Sequence, residues 1–274
     1  MANPRKVRLI GLSDRKSDRV DAETLARLGR ADERLLHPIQ HRDERAQEHM
    51  GVLRARDQVV RARTAMINHV RGRSKASGTR LTRGNAETFP DKAEAQLPAS
   101  LRPALAPVLS LIRQMTATIR RFDKEIRGLC SKEHPETALL QQVSGVGPVT
   151  SLAFVLVIGS ADRFRKSRMV GPYLGLCPRT SQSGERDPQL SITKAGDRFL
   201  RRLLVGSAHF ILGPFGPDCA LRRVGERLMS RGAGNAKKRA IVAIARRLAA
   251  LLHHLWRTAE AYDPMRGLPA AASA

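Results

Sequence analysis

The chain has 274 residues, of which 49 are basic and 25 acidic, so its formal net charge is +24 at neutral pH. This length suffices to bury a core and to form one large or two smaller domains, and the charge favours a polyanionic partner, above all nucleic acid. A membrane protein is not indicated, because the apolar runs at 152–159 and 240–245 are far shorter than the roughly 20 residues of a spanning helix.

The N-terminal stretch combines a short β-branched segment with two closely spaced carboxylates. Residues 7–12, VRLIGL, predict a strand, and a helix is expected over about 21–28. Asp18 and Asp21 are three positions apart, so at a helix start both carboxylates can face one side and share a divalent cation. Acidic residues at a helix start also cap free N–H groups and complement the helix dipole. The spacing alone leaves both interpretations open.

Two long amphipathic helices are predicted next. The first covers about 42–75, and its arginines are placed to follow a nucleic-acid backbone, although a solvated basic face is the alternative. The second covers about 104–130, with apolar residues spaced 3, 4, 3, 4 and 3 apart, which is the a/d seam of close helix pairing. We expect this seam to pair with the first helix as an antiparallel hairpin, or with its copy in another subunit. The seam residues are Ile112, Met115, Ile119, Phe122, Ile126 and Leu129.

A glycine-rich turn occupies residues 143–148, VSGVGP, before an apolar run. Gly145 and Gly147 can turn the backbone sharply and direct bare N–H groups at an anion, as in a hairpin that grips phosphate. Pro148 suits the first turn of the following helix. A plain connection between two helices explains the same residues.

A polar, turn-rich loop is predicted at residues 181–188. Ser183 precedes a glycine and can approach a substrate without crowding, while Ser181 lies two positions earlier. Surrounding positive charge suits a phosphodiester rather than an acyl group, since no histidine base or GxSxG elbow is present. Ordinary surface serines are the alternative. The basic residues that could surround the serines are Arg179, Arg186, Lys194, Arg198, Arg201 and Arg202.

The C-terminal part predicts a turn cluster at 213–218 and a strong amphipathic helix at about 236–256, followed by a disordered tail. The three cysteines are widely spaced, which fits a reducing cytoplasm and neither a disulfide framework nor a zinc cluster. Aromatic residues make up only 4% of the chain, so binding should be dominated by the nucleic-acid backbone and should weaken steeply with salt.

Two of these motifs resemble a known family. The run GLCPRTSQSGERDPQLSITKAGDRFLRRLL and the run KSDRVDA are similar to bacterial insertion-sequence transposases that combine an N-terminal DEDD, resolvase-like domain with a C-terminal serine domain. The resemblance implies that Ser183 is a nucleophile on DNA, with Ser181 in reserve. It also implies that Asp18 and Asp21 are the last two acids of a Mg²⁺-binding tetrad, and that a structured guide RNA bridges donor and target DNA.

One departure from the family pattern shapes the expected architecture. In the family, the first two acids of the tetrad precede this motif by many tens of residues, whereas this chain reaches Asp18 almost at once. We therefore expect a chain truncated at its N-terminus, with an incomplete metal site. The predicted fold is mainly α: a remnant of the α/β resolvase-like (RNase H-like) domain at 1–38, a helical coiled-coil, nucleic-acid-binding hairpin at 39–135, a mostly helical serine transposase domain at 136–262, and a disordered tail at 263–274.

The function expected from these features is DNA transposition by serine attack on a phosphodiester, impaired here by the missing acids. The alternative is a non-catalytic, truncated transposase that binds DNA or RNA as a binding module or interfering subunit. The expected partners are DNA, a guide RNA and further subunits, in a homo-oligomer or a mixed oligomer with full-length transposase, without a membrane. The expected location is the cytoplasm, in association with the nucleoid. A ribosomal or nucleoid-type basic protein would explain the charge but not the two motifs.

Overall fold

The computed structural model describes residues 7, 17–36, 42–183, 188, 190–230, 232 and 234–266. Across these ranges the secondary structure is helical and no strand is formed, which confirms the mainly α prediction. Apart from Val7, the predicted strand at 7–12 lies outside the described residues, as do residues 267–274 of the predicted tail. Within the described ranges, no helix is both long and apolar enough to cross a membrane.

The chain divides into two compact units, residues 1–47 and 48–274. In the first unit, helix α1 spans Asp18–Ala31 and a 3₁₀ helix spans Glu33–Leu36. The helix begins three residues earlier than predicted because Ser17 is its N-cap and accepts a hydrogen bond from the Val20 N–H at 3.4 Å. The domain boundaries predicted from the sequence remain predictions.

The second unit contains the remaining helices, the first of which, α2, starts just before the unit boundary. Two 3₁₀ helices, Ala161–Arg163 and Ser167–Met169, lie between α6 and α7. The α-helices are α2 Glu44–Ala76, α3 Phe89–Gln96, α4 Arg102–Lys132, α5 Glu136–Leu140, α6 Pro148–Ile158, α7 Val170–Tyr173, α8 Arg198–Ile211, α9 Ala220–Ser230 and α10 Ala236–Thr258.

Helices α2 and α4 form an antiparallel pair within the chain, which is one of the two arrangements that the apolar seam predicts. Arg56 of α2 pairs with Asp123 of α4 at 2.5 Å, and one and a half to two turns further along α2, Arg63 donates to Thr116 at 3.2 Å. Residue numbers therefore rise along α2 as they fall along α4. The open end of this pair is closed by an apolar cluster to which α3 contributes. Its buried members are Ile67, Val70, Phe89, Ala93, Leu97, Leu105, Leu109 and Ile112.

The centre of the second unit is built on two helices of different character. In α6 every residue from Thr150 to Ile158 is buried, so this helix has no solvent face and packs against α4, α5 and α8. In α10 one face is buried against α5, α7, α8 and α9, while Lys237, Lys238 and Arg246 on the other face are exposed. These two helices fix where the glycine-rich turn and α8 lie.

The buried cluster makes a direct stability prediction. Leu109 is 0% exposed and Leu111, on the opposite side of α4, is 43% exposed. We expect Leu109→Ala to lower the free energy of unfolding by about 2–5 kcal/mol, because it removes buried methyl groups and leaves a cavity, whereas Leu111→Ala should change it by no more than about 0.5 kcal/mol. Urea denaturation followed by circular dichroism measures both, and equal losses would contradict the packing of α4.

Candidate nucleic-acid interface and serine hairpin

The glycine-rich turn connects α5 to α6 and lies against α8. Gly145 has φ of +85°, and a Cβ atom there would lie 3.0 Å from Cδ1 of Phe210 and 3.2 Å from the carbonyl oxygen of Ser207. Both the backbone conformation and the close approach to α8 therefore require glycine at this position. Gly147 is the N-cap of α6, and a Cβ atom there would meet nothing within 4 Å. Its bare face points to open space.

Several backbone N–H groups at this turn are free. The Val146 N–H donates to Val143 at 3.0 Å, and the N–H groups of Thr150 and Ser151 donate to Gly147 at 3.0 and 2.9 Å. Among the described residues, the N–H groups of Gly145, Gly147 and Val149 have no acceptor. Free N–H groups at the positive end of a helix dipole favour an anion.

An open cavity of about 650 Å³ lies in front of this turn. One wall is the turn itself, and the other is the face of α8 that carries Arg202, Gly206 and Ser207. The small residues leave room, and the exposed Arg202 guanidinium supplies positive charge. The predicted binding residues Gly145, Gly147 and Arg202 are thus brought together in an arrangement that suits a phosphate group.

Helix α2 meets the start of α8 through a cluster of ion pairs. Asp57 of α2 pairs with both Arg61 on its own helix and Arg202 on α8, and its side chain is 13% exposed. One turn earlier, Arg54 of α2 pairs with Asp197, the N-cap of α8, at 3.5 Å. These contacts place two arginines of α2 at the start of α8, the helix whose Arg202 lines the cavity. The sequence analysis missed Asp57, although a signal was present, since it is the single acidic residue between positions 49 and 86.

The other α2 arginines do not share one face. Arg56 and Arg63 bond to α4, and the Arg71 guanidinium lies over the Phe89 ring, 5.0 Å from its centroid. These three side chains support helix packing, whereas Arg54, Arg61 and Arg73 are exposed. Periodicity indicated a basic helix but could not separate the two groups, because long arginine side chains reach around a helix.

The serine loop begins as a short antiparallel hairpin. The Arg179 N–H donates to Ser191 at 3.0 Å, and Pro178 lies opposite Ile192 in a β-bridge. Ser181 and Ser183 follow this pairing and are both exposed, as is Arg179. Residues 184–187 and 189, among them the predicted binding residue Arg186, lie outside the described part of the chain. We call the described part of residues 177–193 the serine hairpin.

The base of the serine hairpin is tightly constrained by two glycines with positive φ. A Cβ atom at Gly175, where φ is +68°, would lie 2.3 Å from the Ala195 nitrogen. At Gly196, where φ is +75°, it would lie 2.1 Å from the Tyr173 carbonyl oxygen. Any larger residue would push the two ends of the hairpin apart. The glycines in the GLCPR and TKAGD runs therefore have a steric explanation.

Arg201 also holds the two ends of the serine hairpin together. Its Nη1 donates to the carbonyl oxygens of Leu174 at 2.9 Å and Ala195 at 2.7 Å, which bridges the two ends of the hairpin. The side chain is half-buried, and burial lowers the pKa of its guanidinium. Arg198 and Lys194, by contrast, are exposed, with Lys194 in the left-handed conformation at φ of +55°. Arg201 thus shapes the hairpin, whereas its neighbours are available to a ligand.

The two predicted metal ligands lie in the first turn of α1. Asp18 is exposed, while Asp21 is half-buried, and its Oδ1 atom is buried without a hydrogen-bond partner among the described residues. Within the described ranges, no group of three or more His, Cys, Asp or Glu side chains is arranged to hold a metal ion. The pair therefore supplies only part of the ligand set that a two-metal site needs.

Models of two known protein families match this chain, and each covers one of the two regions described above. Residues 137–216 match the family model described as "Transposase IS116/IS110/IS902 family", and residues 1–73 match the DEDD transposase model of the IS110 group. The first match covers the glycine-rich turn and the serine hairpin, and the second covers Asp18, Asp21 and most of α2.

Transposases of three bacteria are similar in sequence to this chain. The chain is 29% identical over 204 residues to the transposase for insertion sequence element IS1111A of Coxiella burnetii, covering 72% of this chain and 55% of that protein. It is 31% identical over 204 residues to a probable family 20 transposase of Pseudomonas aeruginosa, covering 72% and 60%. It is 27% identical over 202 residues to the transposase for insertion sequence element IS1328 of Yersinia enterocolitica, covering 70% and 58%.

The matched region spans between 55% and 60% of the length of these three relatives. Both matching models describe transposases of the IS110 type, one at the N-terminal end of the chain and one further along it. The three relatives are also described as transposases. Over the matched residues, this chain is therefore similar to transposases of the IS110/IS116 family.

Proposed function

We propose that this chain acts in DNA transposition and that Ser183 attacks a DNA phosphodiester. The observation that carries the proposal is the serine hairpin, in which Ser183 is exposed and whose base adjoins the basic start of α8. The serine oxygen forms a bond to phosphorus as the bond from phosphorus to a deoxyribose oxygen breaks. The serine proton is lost and the departing oxygen takes up a proton, leaving a phosphoserine link. Ser181, two residues away and also exposed, is the reserve nucleophile.

Nucleic acid binding is proposed to run from the serine hairpin to the cavity at the glycine-rich turn. Free N–H groups at Gly145 and Gly147 receive one phosphate, and Arg202 lies across the same cavity. Further phosphates meet the exposed basic side chains near the hairpin. These are Arg179, Lys194 and Arg198, with Arg54 and Arg61 of α2 extending the surface. The partners are the DNA of the element and a structured guide RNA, both of which present phosphates to such a surface.

Asp18 and Asp21 are proposed to contribute two carboxylates to a Mg²⁺ site. The buried and unpartnered Oδ1 of Asp21 is consistent with a role as a ligand. A two-cation site for phosphoryl transfer uses more carboxylates than two, so we expect cleavage to depend on further acidic ligands and on assembly with other subunits, as a homo-oligomer or a mixed oligomer. Without them, the chain would bind nucleic acid but cleave it weakly.

The serine assignment predicts a covalent product. With Mg²⁺, guide RNA and end-labelled element DNA, and with an intact family transposase supplied to complete the acidic site, the wild-type chain should form a protein–DNA adduct that survives denaturation. Ser183→Ala should abolish this adduct and Ser181→Ala should retain it, since only one serine oxygen joins phosphorus. A size tag on this chain separates its adduct from that of the added protein on a denaturing gel.

Binding of labelled DNA by each serine variant provides the control. Loss of the adduct in Ser181→Ala alone would identify Ser181, rather than Ser183, as the nucleophile. If the adduct remained in both single variants and in the double variant, the serine mechanism would be wrong. Salt-sensitive binding without any adduct from this chain would favour the non-catalytic binding module.

The ion-pair cluster predicts opposite effects of two substitutions on DNA affinity. Arg202→Gln should weaken binding and lower the slope of log K against log salt concentration by about 1, because one phosphate contact is lost. Asp57→Asn should strengthen binding, because it frees Arg61 and Arg202 from a carboxylate that competes with phosphate. Fluorescence anisotropy with a labelled duplex over a salt series measures both.

The matched control is the ion pair between Arg223 of α9 and Asp218, which precedes that helix. Arg223 and Arg202 have equally exposed side chains, each at 46%, and each pairs with an aspartate. Arg223→Gln changes the net charge as Arg202→Gln does, and Asp218→Asn changes it as Asp57→Asn does. Smaller effects on DNA affinity in the control pair would therefore show that the position of the charge matters, and not the net charge alone. Equal effects from the two pairs would contradict a binding surface at the start of α8.

A further inference from the structure

Two exposed phenylalanine side chains lie close together in sequence at the end of α8. All seven phenylalanines fall within the described ranges, and only Phe210 and Phe215 are exposed, at 43% and 86%. The two tyrosines and the single tryptophan are half-buried. Isolated apolar side chains are common on protein surfaces, so exposure alone gives Phe215 no role. The argument for a role comes from the backbone that carries it and from the groups beside it.

The turn at residues 212–217, which we call the α8 turn, is held together by one arginine. Nη1 of Arg222 donates to the carbonyl oxygens of Ile211 at 3.0 Å, Gly213 at 2.7 Å and Gly216 at 2.8 Å. These three acceptors lie on both sides of Phe215 in the sequence. The backbone on either side of the exposed ring is therefore fixed to the start of α9.

The α8 turn also packs closely against the last turn of α8. A Cβ atom at Gly216 would lie 2.6 Å from the carbonyl oxygen of Phe210, so the two backbones are in contact. Pro214 and Pro217 flank Phe215 and Gly216, and their rings restrict the φ angles on both sides. The Phe215 ring is thus presented to solvent from an ordered backbone. A ligand that covers it would not have to order this segment first, which favours binding.

Phe210 connects the α8 turn to the cavity at the glycine-rich turn. Its side chain lines that cavity, as does Arg202. The opposite wall carries the free N–H groups of Gly145 and Gly147. Groups that suit a phosphate therefore share a cavity with an aromatic ring, and the backbone that carries Phe215 continues directly from it. A nucleotide offers the complementary pair, since a single sugar joins its phosphate to a flat base with an apolar face.

We propose that Phe215, together with Phe210, stacks on unpaired bases of single-stranded DNA whose backbone occupies the cavity. In a duplex the bases are already stacked on their neighbours, so an exposed ring meets a free base face only where a strand is unpaired. Every base has such a face, so stacking selects for a single strand rather than for a sequence. Two rings supplement the phosphate contacts without replacing them, in keeping with the low aromatic content of the chain.

The choice of DNA rests on the function proposed above. Attack by a serine on a DNA phosphodiester cuts one strand, and that strand must leave its complement before it can join another. The unpaired DNA would lie close to the cavity, because α8 carries the cavity wall and its first turn adjoins the base of the serine hairpin. The rings at the end of α8 would then hold bases of the separated strand.

The first test compares single-stranded DNA with a duplex of the same sequence, using the full chain and fluorescence anisotropy. Phe215→Ala should weaken binding of the single strand about 5- to 100-fold and change duplex binding by less than about twofold, because one stacked ring is lost. Phe215→Leu, which keeps an apolar side chain without a ring, should show most of the same loss, whereas Phe215→Tyr should retain the affinity. The salt dependence should stay the same in all three variants, since no phosphate contact is removed.

Equal losses with the single strand and the duplex, or full affinity in Phe215→Leu, would overturn the stacking proposal. A single-stranded RNA of the same sequence tests the choice of DNA, and a larger loss with RNA would overturn it. Arg202→Gln separates this proposal from the phosphate surface. If only Arg202→Gln weakens binding, the stacking is wrong and the phosphate surface stands. If only Phe215→Ala weakens it, the phosphate surface is wrong and the stacking stands.

A second measurement detects the contact itself. Phe215→Trp introduces an indole into the α8 turn, and the wild type, with Trp256 as its single tryptophan, gives the background signal. Saturating single-stranded DNA should quench the added fluorescence, because a stacked base deactivates an excited indole, whereas the duplex should leave it nearly unchanged. Met169→Trp, at a position that is 51% exposed, is the control for quenching by DNA bound elsewhere. Equal quenching in both variants, or none in Phe215→Trp, would overturn the proposal.

Discussion

Mutual repulsion among 49 basic side chains opposes the packing of α2 against α4 and α8, and carboxylates at the lines of contact reduce it. Asp123 meets Arg56 between α2 and α4, whereas Asp57 and Asp197 meet arginines where α2 reaches α8. Exposed ion pairs contribute little to stability, but Asp57 and Asp197 have side chains only 13% exposed, where screening by water is weaker. The few acidic residues thus determine which arginines are used in folding and which remain available to a ligand.

The arginines therefore fall into two groups, which differ in whether a phosphate could bind them without disrupting the fold. Arg56, Arg63 and Arg71 contact α4 or the Phe89 ring, so a phosphate could recruit them only by disrupting the helix pair. Arg61 and Arg202 share the carboxylate of Asp57, and Arg202 also lines the cavity, so a phosphate could replace that carboxylate without disrupting the helix pair. The proposed binding at this surface would therefore be an exchange of anions, and its affinity would depend on Asp57 as well as on the arginines.

Much of the fold follows from periodicity, whereas the site depends on contacts between distant parts of the chain. The seam of α4 buries Ile112, Ile119 and Ile126, and the bounds of α2, α4 and α10 lie within two residues of those predicted. The helix α3 was not predicted, because its eight residues are too few for a periodic signal. The partners of Asp57 depend on the register of helix pairs, which a single sequence does not specify. The glycines of the two motifs were recognised from the sequence, but their close neighbours were not.

The serine hairpin combines a closely packed base with an exposed Ser183, and this contrast bears on how a nucleophile there would work. Two glycines in close backbone contact and the carbonyl bonds of Arg201 fix where the hairpin starts. Ser183 itself is exposed, and attack on phosphorus requires an approach to about 3–3.5 Å in the correct orientation. Because the base of the hairpin is held in place, Ser183 can approach a phosphate only within a limited region. The remaining alignment must come from nucleic acid bound along α8 and the glycine-rich turn, so binding and chemistry would depend on the same surface.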